Sequence, residues 1–273
     1  MEWPYLYIAP PLFVLWIYEI ATYRGGVRAY PWTDVGVTIV LATLRNTVSR
    51  LAGGTALYVL GNLVYPYRWF DWDSNSWATW FAVWFGVEFA YYWFHRMSHQ
   101  IRWLWAEHSV HHTATQLVLW HSLRLGILGN YHGGVLFFMP LVLLGVAPEL
   151  LVEVFMVNLV YQTWIHTDAL PRLGPFEWVF NTPAHHRVHH ASNRRYWGSN
   201  FGGTLIVFDR CFGTFQAESD EEPVVYGPPD PLPDRNPWTV LTFEWRRLFS
   251  DLLANPRHAL GTLFRAPGWR PEP

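Results

Sequence analysis

The chain has no lysine and a single cysteine, Cys211, and only 15% of its 273 residues are Asp, Glu, Lys or Arg. One thiol excludes an internal disulfide and any cysteine-ligated zinc or iron–sulfur centre, so Cys211 reads as a buried or incidental thiol. With a net charge of −2 the chain lacks the basic surface that nucleic acid requires, and no nucleic-acid partner is expected. The amino terminus has no basic n-region, and no small-residue cleavage site follows the apolar stretch that begins at Trp3. That stretch is expected to be retained.

Apolar and aromatic residues are abundant. Hydrophobic residues make up 51%, with 18 Trp, 14 Tyr and 18 Phe, and Trp and Tyr concentrate at membrane–water interfaces. Uncharged runs fall at residues 3–18, 35–44, 51–67 and 76–94, the last interrupted by Glu88. Residues 125–148 carry no Asp, Glu, Lys or Arg, and residues 154–165 continue the apolar character beyond a break at Gly145 to Pro148. The expected fold is an all-α integral membrane protein with about four transmembrane helices and a cytoplasmic, histidine-rich helical cap. Two parts are expected. Residues 1–218 form a membrane-embedded catalytic domain, and residues 219–273 form a Pro-rich cytoplasmic tail with a short amphipathic helix over 238–253. The aromatic stripe Trp80, Trp84, Tyr91, Tyr92 and Trp120 reads as core or lipid-facing rather than as a substrate tunnel.

Most of the 13 histidines fall into three tight clusters. These are His95-x3-His99, His108-x2-His111-His112 and His185-His186-x2-His189-His190. Positions i, i+3 and i+4 share a helix face, so each cluster is expected to aim two or three imidazoles at one point. Burying that many imidazoles unpaired would carry a large desolvation cost, whereas imidazole is a good ligand for iron, zinc, copper and nickel. The eight that share a face within their clusters, all but His185, exceed the four donors of a structural zinc site and suit two metals. A hairpin over residues 125–165 crosses an even number of times, which would return His166 to the face that carries the clusters. Arg96, Arg102, Arg124, Arg172, Arg187, Arg194, Arg195 and Arg210 surround the clusters. By the positive-inside rule this marks a cytoplasmic face, with the bacterial inner membrane as the location.

The three boxes, in this order and with the hairpin between the second and third, resemble the fatty acid hydroxylase/sterol desaturase superfamily over roughly residues 88–215. The segment around Trp164, His166 and Thr167, the third box, and residues 200–215 are most similar to its alkylglycerol monooxygenase-like branch. The resemblance implies a non-haem di-iron centre that uses O2 to hydroxylate a lipid C–H bond, and a separate electron donor (ferredoxin, a cytochrome b5-like protein or a pterin). Tetrahydropterin is a possible cofactor, and zinc can replace iron in purified material. Metal ligation falls to His95, His99, His108, His111, His112, His166, His186, His189 and His190, with His185 as a further ligand or a donor behind the ligands. No catalytic residue is assigned beyond the metal centre. Glu88, Glu107, Asp168 and Asp209 are candidates to accept the ligands' second N–H. Arg124 is a candidate for a substrate headgroup or anionic lipid, and Asn200 for ligation or a hydrogen bond. The chain departs from the branch at Asp168, where Glu is usual, at Gly198, where Asp is common, and over residues 113–120, followed by an unusual His121. These departures fall near the expected substrate region. Lipid desaturation with the same metals, and, from another class, divalent-metal transport, remain as alternatives. A zinc protease is disfavoured because His95-x3-His99 lacks the glutamate of His-Glu-x2-His.

Overall fold

A computed structural model describes residues 5–52, 54–129 and 131–271. Eleven α-helices occur among them: α1 (Tyr5–Thr22), α2 (Trp32–Leu51), α3 (Ala56–Val64), α4 (Trp77–Gln100), α5 (Arg102–His108), α6 (Met139–Leu143), α7 (Pro148–Ile165), α8 (Pro183–His189), α9 (Val207–Cys211), α10 (Pro237–Ala254) and α11 (Ala259–Phe264). Short 3-10 turns link several of them. No named strand occurs among the described residues. Two isolated antiparallel bridges, Phe180 to Leu205 and Ala191 to Tyr226, close the loops around α8.

No helix among the described residues is long and apolar enough to cross a membrane. This overturns the expected four-span bundle, the membrane as a partner, and the inner-membrane location with a cytoplasm-facing site. The physical reason is visible in each candidate. The uncharged residues 125–148 do not form one helix. Gly129 and Gly133 take positive φ (54° and 108°), and the stretch is cut into turns, a 3-10 segment over Gly134–Phe138, and the five-residue α6. Gly145 (φ 104°) and Pro148 then end one segment and start α7. α4 is 24 residues long but carries Glu88, His95, Arg96 and His99. α7 carries Glu149, Glu153, Asn158 and Gln162, and α2 carries Asp34, Arg45 and Arg50. Of the first apolar run, Trp3 and Pro4 lie outside the described residues.

Of the eight arginines that suggested a cytoplasmic face, Arg102, Arg124 and Arg187 are buried, and the exposed Arg172 is held by a carboxylate. Arg102 pairs with Asp251 at 2.5 Å, Arg187 with Glu218 at 2.7 Å, and Arg172 with Asp220 at 2.7 Å. Arg124 is fully buried beside Asp34 at 3.5 Å. A charge held by an internal partner does not report on membrane topology.

The main core packs α3, α4, α6 and α7 through Leu57, Val83, Val87, Tyr91, Phe138, Val142, Leu151 and Val154. Burying aliphatic and aromatic side chains such as these contributes roughly 1.5–3 kcal/mol each. Tyr91 and Tyr92 are buried, while Trp80 and Trp84 pack at the core margin, so the aromatic stripe is core. α10 lies on α2 and α5, burying Val240, Leu241 and Leu248. Cys211 ends α9 as an exposed free thiol, not a buried one. The core thus fixes α4 and α7 side by side, with their histidine-bearing ends together.

Candidate metal centre

Two groups of imidazoles meet where α4, α5, α7 and α8 converge. His95, His99, His108, His112 and His189 form one, and His111, His166, His186 and His190 the other. Within each group every residue offers a ligand atom within 4.8 Å of the rest. The groups adjoin, since the rings of His112 and His190 stack with centroids 4.4 Å apart.

The expectation that each cluster aims at one point needs correction. The i, i+4 pairs His95/His99, His108/His112 and His186/His190 each stay in one group, while His111 and His189 go to the other. Successive helical residues are rotated by roughly 100°, so the two members of a His-His pair point apart. His111–His112 and His189–His190 therefore straddle the two groups, and the dipeptides tie the groups together.

Backbone carbonyls orient the rings. His95 Nδ1 donates to Phe201 O (2.9 Å), His111 Nδ1 to Arg124 O (3.2 Å), His166 Nδ1 to Gln162 O (2.6 Å) and His189 Nδ1 to Ser199 O (3.0 Å). A carbonyl can only accept, so each of these rings carries its proton on Nδ1 and presents the Nε2 lone pair inward. His111 Nε2 and His166 Nε2 stand 3.1 Å apart. With both protons committed elsewhere, this contact is two lone pairs facing one another. His166 Nε2 is also 2.8 Å from His186 Nε2, which is 3.0 Å from His190 Nε2. In the other group, His108 Nε2 lies 3.1 Å from His95 Nε2 and 3.3 Å from His112 Nε2. The Nε2 atoms of His99 and His189 are buried without a partner.

Protonation cannot relieve this crowding. Burial, then the neighbouring imidazoles, holds His95, His99, His108, His111, His112, His186 and His190 well below the ordinary histidine range. Burial takes His166 to about 3 and His189 to about 4. Neutral imidazoles with converging lone pairs are the donor set that a transition-metal cation requires. The residues present therefore fit two metal ions, one per group.

The candidate acids, buried at Glu88, Glu107 and Asp209 and exposed at Asp168, do not touch the imidazoles. Glu88, Glu107, Asp168 and Asp209 accept no hydrogen bond from the nine rings among the described residues. They hold the loops instead. Asp209 accepts from Phe201 N and Gly202 N, both at 2.7 Å, and from Thr214 Oγ1; Phe201 in turn orients His95. Glu88 accepts from Asn158 Nδ2 (2.7 Å), Thr204 N (2.8 Å) and Leu205 N (3.1 Å). Glu107 caps Leu128 N and Gly129 N, and Asp168 accepts from Tyr226. Desolvation raises Asp209 to about 6 and Glu107 to about 7. Gly202 and Gly203 are required here. A Cβ on Gly202 would collide with Leu205 O, and one on Gly203 with the Asn158 amide.

The other candidates are also placed. His185 is outside both groups, packed edge-on against Phe215 with ring centroids 5.3 Å apart. Asn200, at φ 58°, uses its side chain wholly on backbone: it donates to His185 O and Gln216 O and accepts from Gln216 N. Arg124 faces neither lipid nor an open cavity. Its guanidinium meets Thr113 and Asp34, and its carbonyl orients His111. Sequence reasoning missed Glu19, which is buried and accepts from Tyr30, Thr167 and Leu119 N. It also missed Asn158 and Gln162, whose amides connect Glu88 to Tyr91. Their signal was present as two amides, i and i+4, on the buried face of α7.

Two adjoining, buried, all-imidazole groups are consistent with a dinuclear metal site, and the comparisons narrow the class. The fatty acid hydroxylase family model matches residues 80–214. The alkylglycerol monooxygenase of Homo sapiens is 40% identical over 209 residues, covering 75% of this chain and 46% of that protein. Its Xenopus tropicalis counterpart is 40% identical over 202 residues, covering 73% and 44%. An ornithine lipid hydroxylase of Rhizobium tropici is 29% identical over 144 residues, covering 52% and 44%. No solved structure matches. The chain belongs to the fatty acid hydroxylase/sterol desaturase superfamily and is similar to alkylglycerol monooxygenases, spanning less than half the length of those relatives. Nothing among the described residues or the comparisons identifies the separate electron donor that the resemblance implies.

Proposed function

We propose that this protein is a dinuclear iron oxygenase that hydroxylates a C–H bond of a lipid with O2. The observation that carries this reading is the pair His111 and His166. Their Nδ1 protons are fixed on backbone carbonyls while their Nε2 lone pairs face each other at 3.1 Å, and His95 and His189 are anchored by Nδ1 in the same way. Two irons held by the nine imidazoles would supply the reductive activation of O2.

The chain's own residues contribute position and exclusion of water. The backbone carbonyls of Phe201, Arg124, Gln162 and Ser199 lock four rings in one tautomer and one rotation. Burial keeps all nine imidazoles neutral and metal-competent at ordinary pH. The names of the relatives support the substrate class, as they describe a monooxygenase of alkylglycerols and a hydroxylase of ornithine lipids.

The test combines metal analysis with product analysis. Purified protein should carry one iron in each group, and cells expressing it should accumulate a lipid containing one additional oxygen atom, labelled by heavy O2. A product lacking two hydrogens and containing no new oxygen would identify a desaturase. Protein that binds no transition metal when reconstituted with ferrous iron would refute the reading.

A further inference from the structure

The single acid of α4, Glu88, is fully buried and precedes His95 on the same helix. About two helical turns separate them, so both project from one face. The three partners of Glu88 are all donors. Asn158 Nδ2 lies 2.7 Å from Oε1, while Thr204 N and Leu205 N lie 2.8 Å and 3.1 Å from Oε2. Glu88 therefore accepts on both oxygens, and each oxygen leads to a different imidazole group.

Oε2 leads to the five-imidazole group. It holds the loop at Thr204 and Leu205, and the same loop aims the Phe201 carbonyl at His95 Nδ1 from 2.9 Å. That loop has no slack against the helices, because a Cβ on Gly203 would strike the Asn158 amide and the Tyr91 ring. Oε1 leads to the four-imidazole group. Asn158 Nδ2 donates to it, Gln162 Nε2 donates to Asn158 Oδ1 at 2.7 Å, and Tyr91 Oη donates to Gln162 Oε1 at 2.8 Å. Glu88 and Tyr91 belong to α4, Asn158 and Gln162 to α7, so these bonds pin the end of α7 on α4. At that end the backbone N–H of His166 turns to Thr163 O at 3.3 Å. Gln162 O is one of the carbonyls that a helix leaves unpaired at its terminus, and His166 Nδ1 takes it at 2.6 Å.

We propose that Glu88 is a positioning residue for both metals at once. One oxygen sets His95 through the loop over residues 201–205, and the other sets His166 through Asn158 and Gln162. The two groups have no ligand in common, yet they share this anchor. A change at Glu88 therefore reaches both groups, and a change at Asn158 reaches one. Supports behind the ligands typically contribute about 10–100-fold in metal affinity. This inference rests on the dinuclear reading above.

The experiment is a titration of the metal-free full chain with Co(II), read by visible absorption and by metal stoichiometry. Glu88→Gln keeps the shape but replaces one acceptor with a donor that faces donors. It should weaken both Co(II) equivalents about 10-fold and shift both absorptions. Asn158→Leu severs only the Oε1 branch and should weaken one equivalent about 10-fold. The His166→Ala background keeps the five-imidazole metal alone. There Glu88→Gln should still weaken that metal, and Asn158→Leu should leave it within a few-fold. A Glu88→Gln chain with a lower unfolding midpoint but the affinities and spectra of the unaltered chain would overturn the proposal. So would an Asn158→Leu chain that weakens both equivalents equally or neither, and this outcome decides the matter if Glu88→Gln does not fold. An unaltered chain that binds fewer than two Co(II) would instead refute the dinuclear reading itself.

Discussion

The five- and four-imidazole groups are built from the same three boxes yet differ in how they depend on the chain. The five-imidazole group takes His95 and His99 from α4, His108 and His112 from α5 and the turn after it, and His189 from α8. The four-imidazole group has a single delegate of the second box, His111, a pair from α8 and its end, and His166. That last residue caps α7 and lies 55 residues from the partner it meets. One group is redundant and its members come mostly from one local stretch. The other is minimal and depends on a helix that must dock correctly before its metal can bind. A metal site with only four donors has none to spare.

The largest expected effect follows from that asymmetry. His166→Ala should remove the metal of the four-imidazole group and abolish turnover, with stoichiometry falling from two metals to one in plasma emission analysis. His99→Ala leaves four imidazoles in the other group and should retain two metals, the weaker bound about 10–100-fold less tightly. Equal losses in the two variants would erase the distinction between the groups.

Next comes Glu88→Ala, which strips the acceptor from Asn158, Thr204 N and Leu205 N. Each buried donor left unpaired costs about 1–3 kcal/mol. Urea unfolding of the metal-free protein should therefore show a large drop in midpoint with little change in slope. Asp209→Asn is subtler, since it disturbs the loop whose Phe201 carbonyl orients His95. It should weaken the first group about 10-fold and leave the second unaffected, a contrast that Co(II) titration would register.

The last contrast is in pH dependence. In the metal-free protein the imidazoles have folded values below the unfolded value of 6.5, with His189 at about 4 and His166 at about 3. The unfolded chain then binds more protons below 6.5, so their contribution to stability is present above 6.5 and lost progressively towards 4. Asp209 and Glu107 are raised to about 6 and about 7, so they act in the opposite sense. Their contribution is present below their unfolded values and lost as pH rises through the folded ones. Nine imidazoles outweigh these two acids, so the melting temperature of the metal-free protein should fall between pH 7 and pH 5. Metal loading should extend that dependence to lower pH, because bound imidazoles take up no proton even where the free ones would. A metal-free protein that gains stability over this range would break the account.

Much of the metal centre was legible from residue type and spacing. Thirteen histidines in an otherwise charge-poor chain, nine of them now in two groups, leave few alternatives to metal binding. The membrane architecture was misread for an equally physical reason. Hydropathy averages over a window, whereas Gly129, Gly133 and Gly145 impose backbone reversals at single positions inside an uncharged run. Trp and Tyr, taken as interfacial anchors, serve in part as core, as Tyr91 and Tyr92 show.

The sequence by itself determined the chemistry on offer: neutral imidazoles in i, i+4 pairs, in numbers that suit two metals, with the motif order of an oxygenase superfamily. Only the tertiary structure decided which imidazole serves which group, sending His111 and His189 across while their box neighbours stayed. It alone paired His95 with Phe201, 106 positions away, and drew Glu88 and Asp209 to loops rather than to the rings. Local spacing fixes direction around one helix axis. Which lone pairs converge depends on how α4, α7 and α8 pack together, and that is set by the core they bury in common.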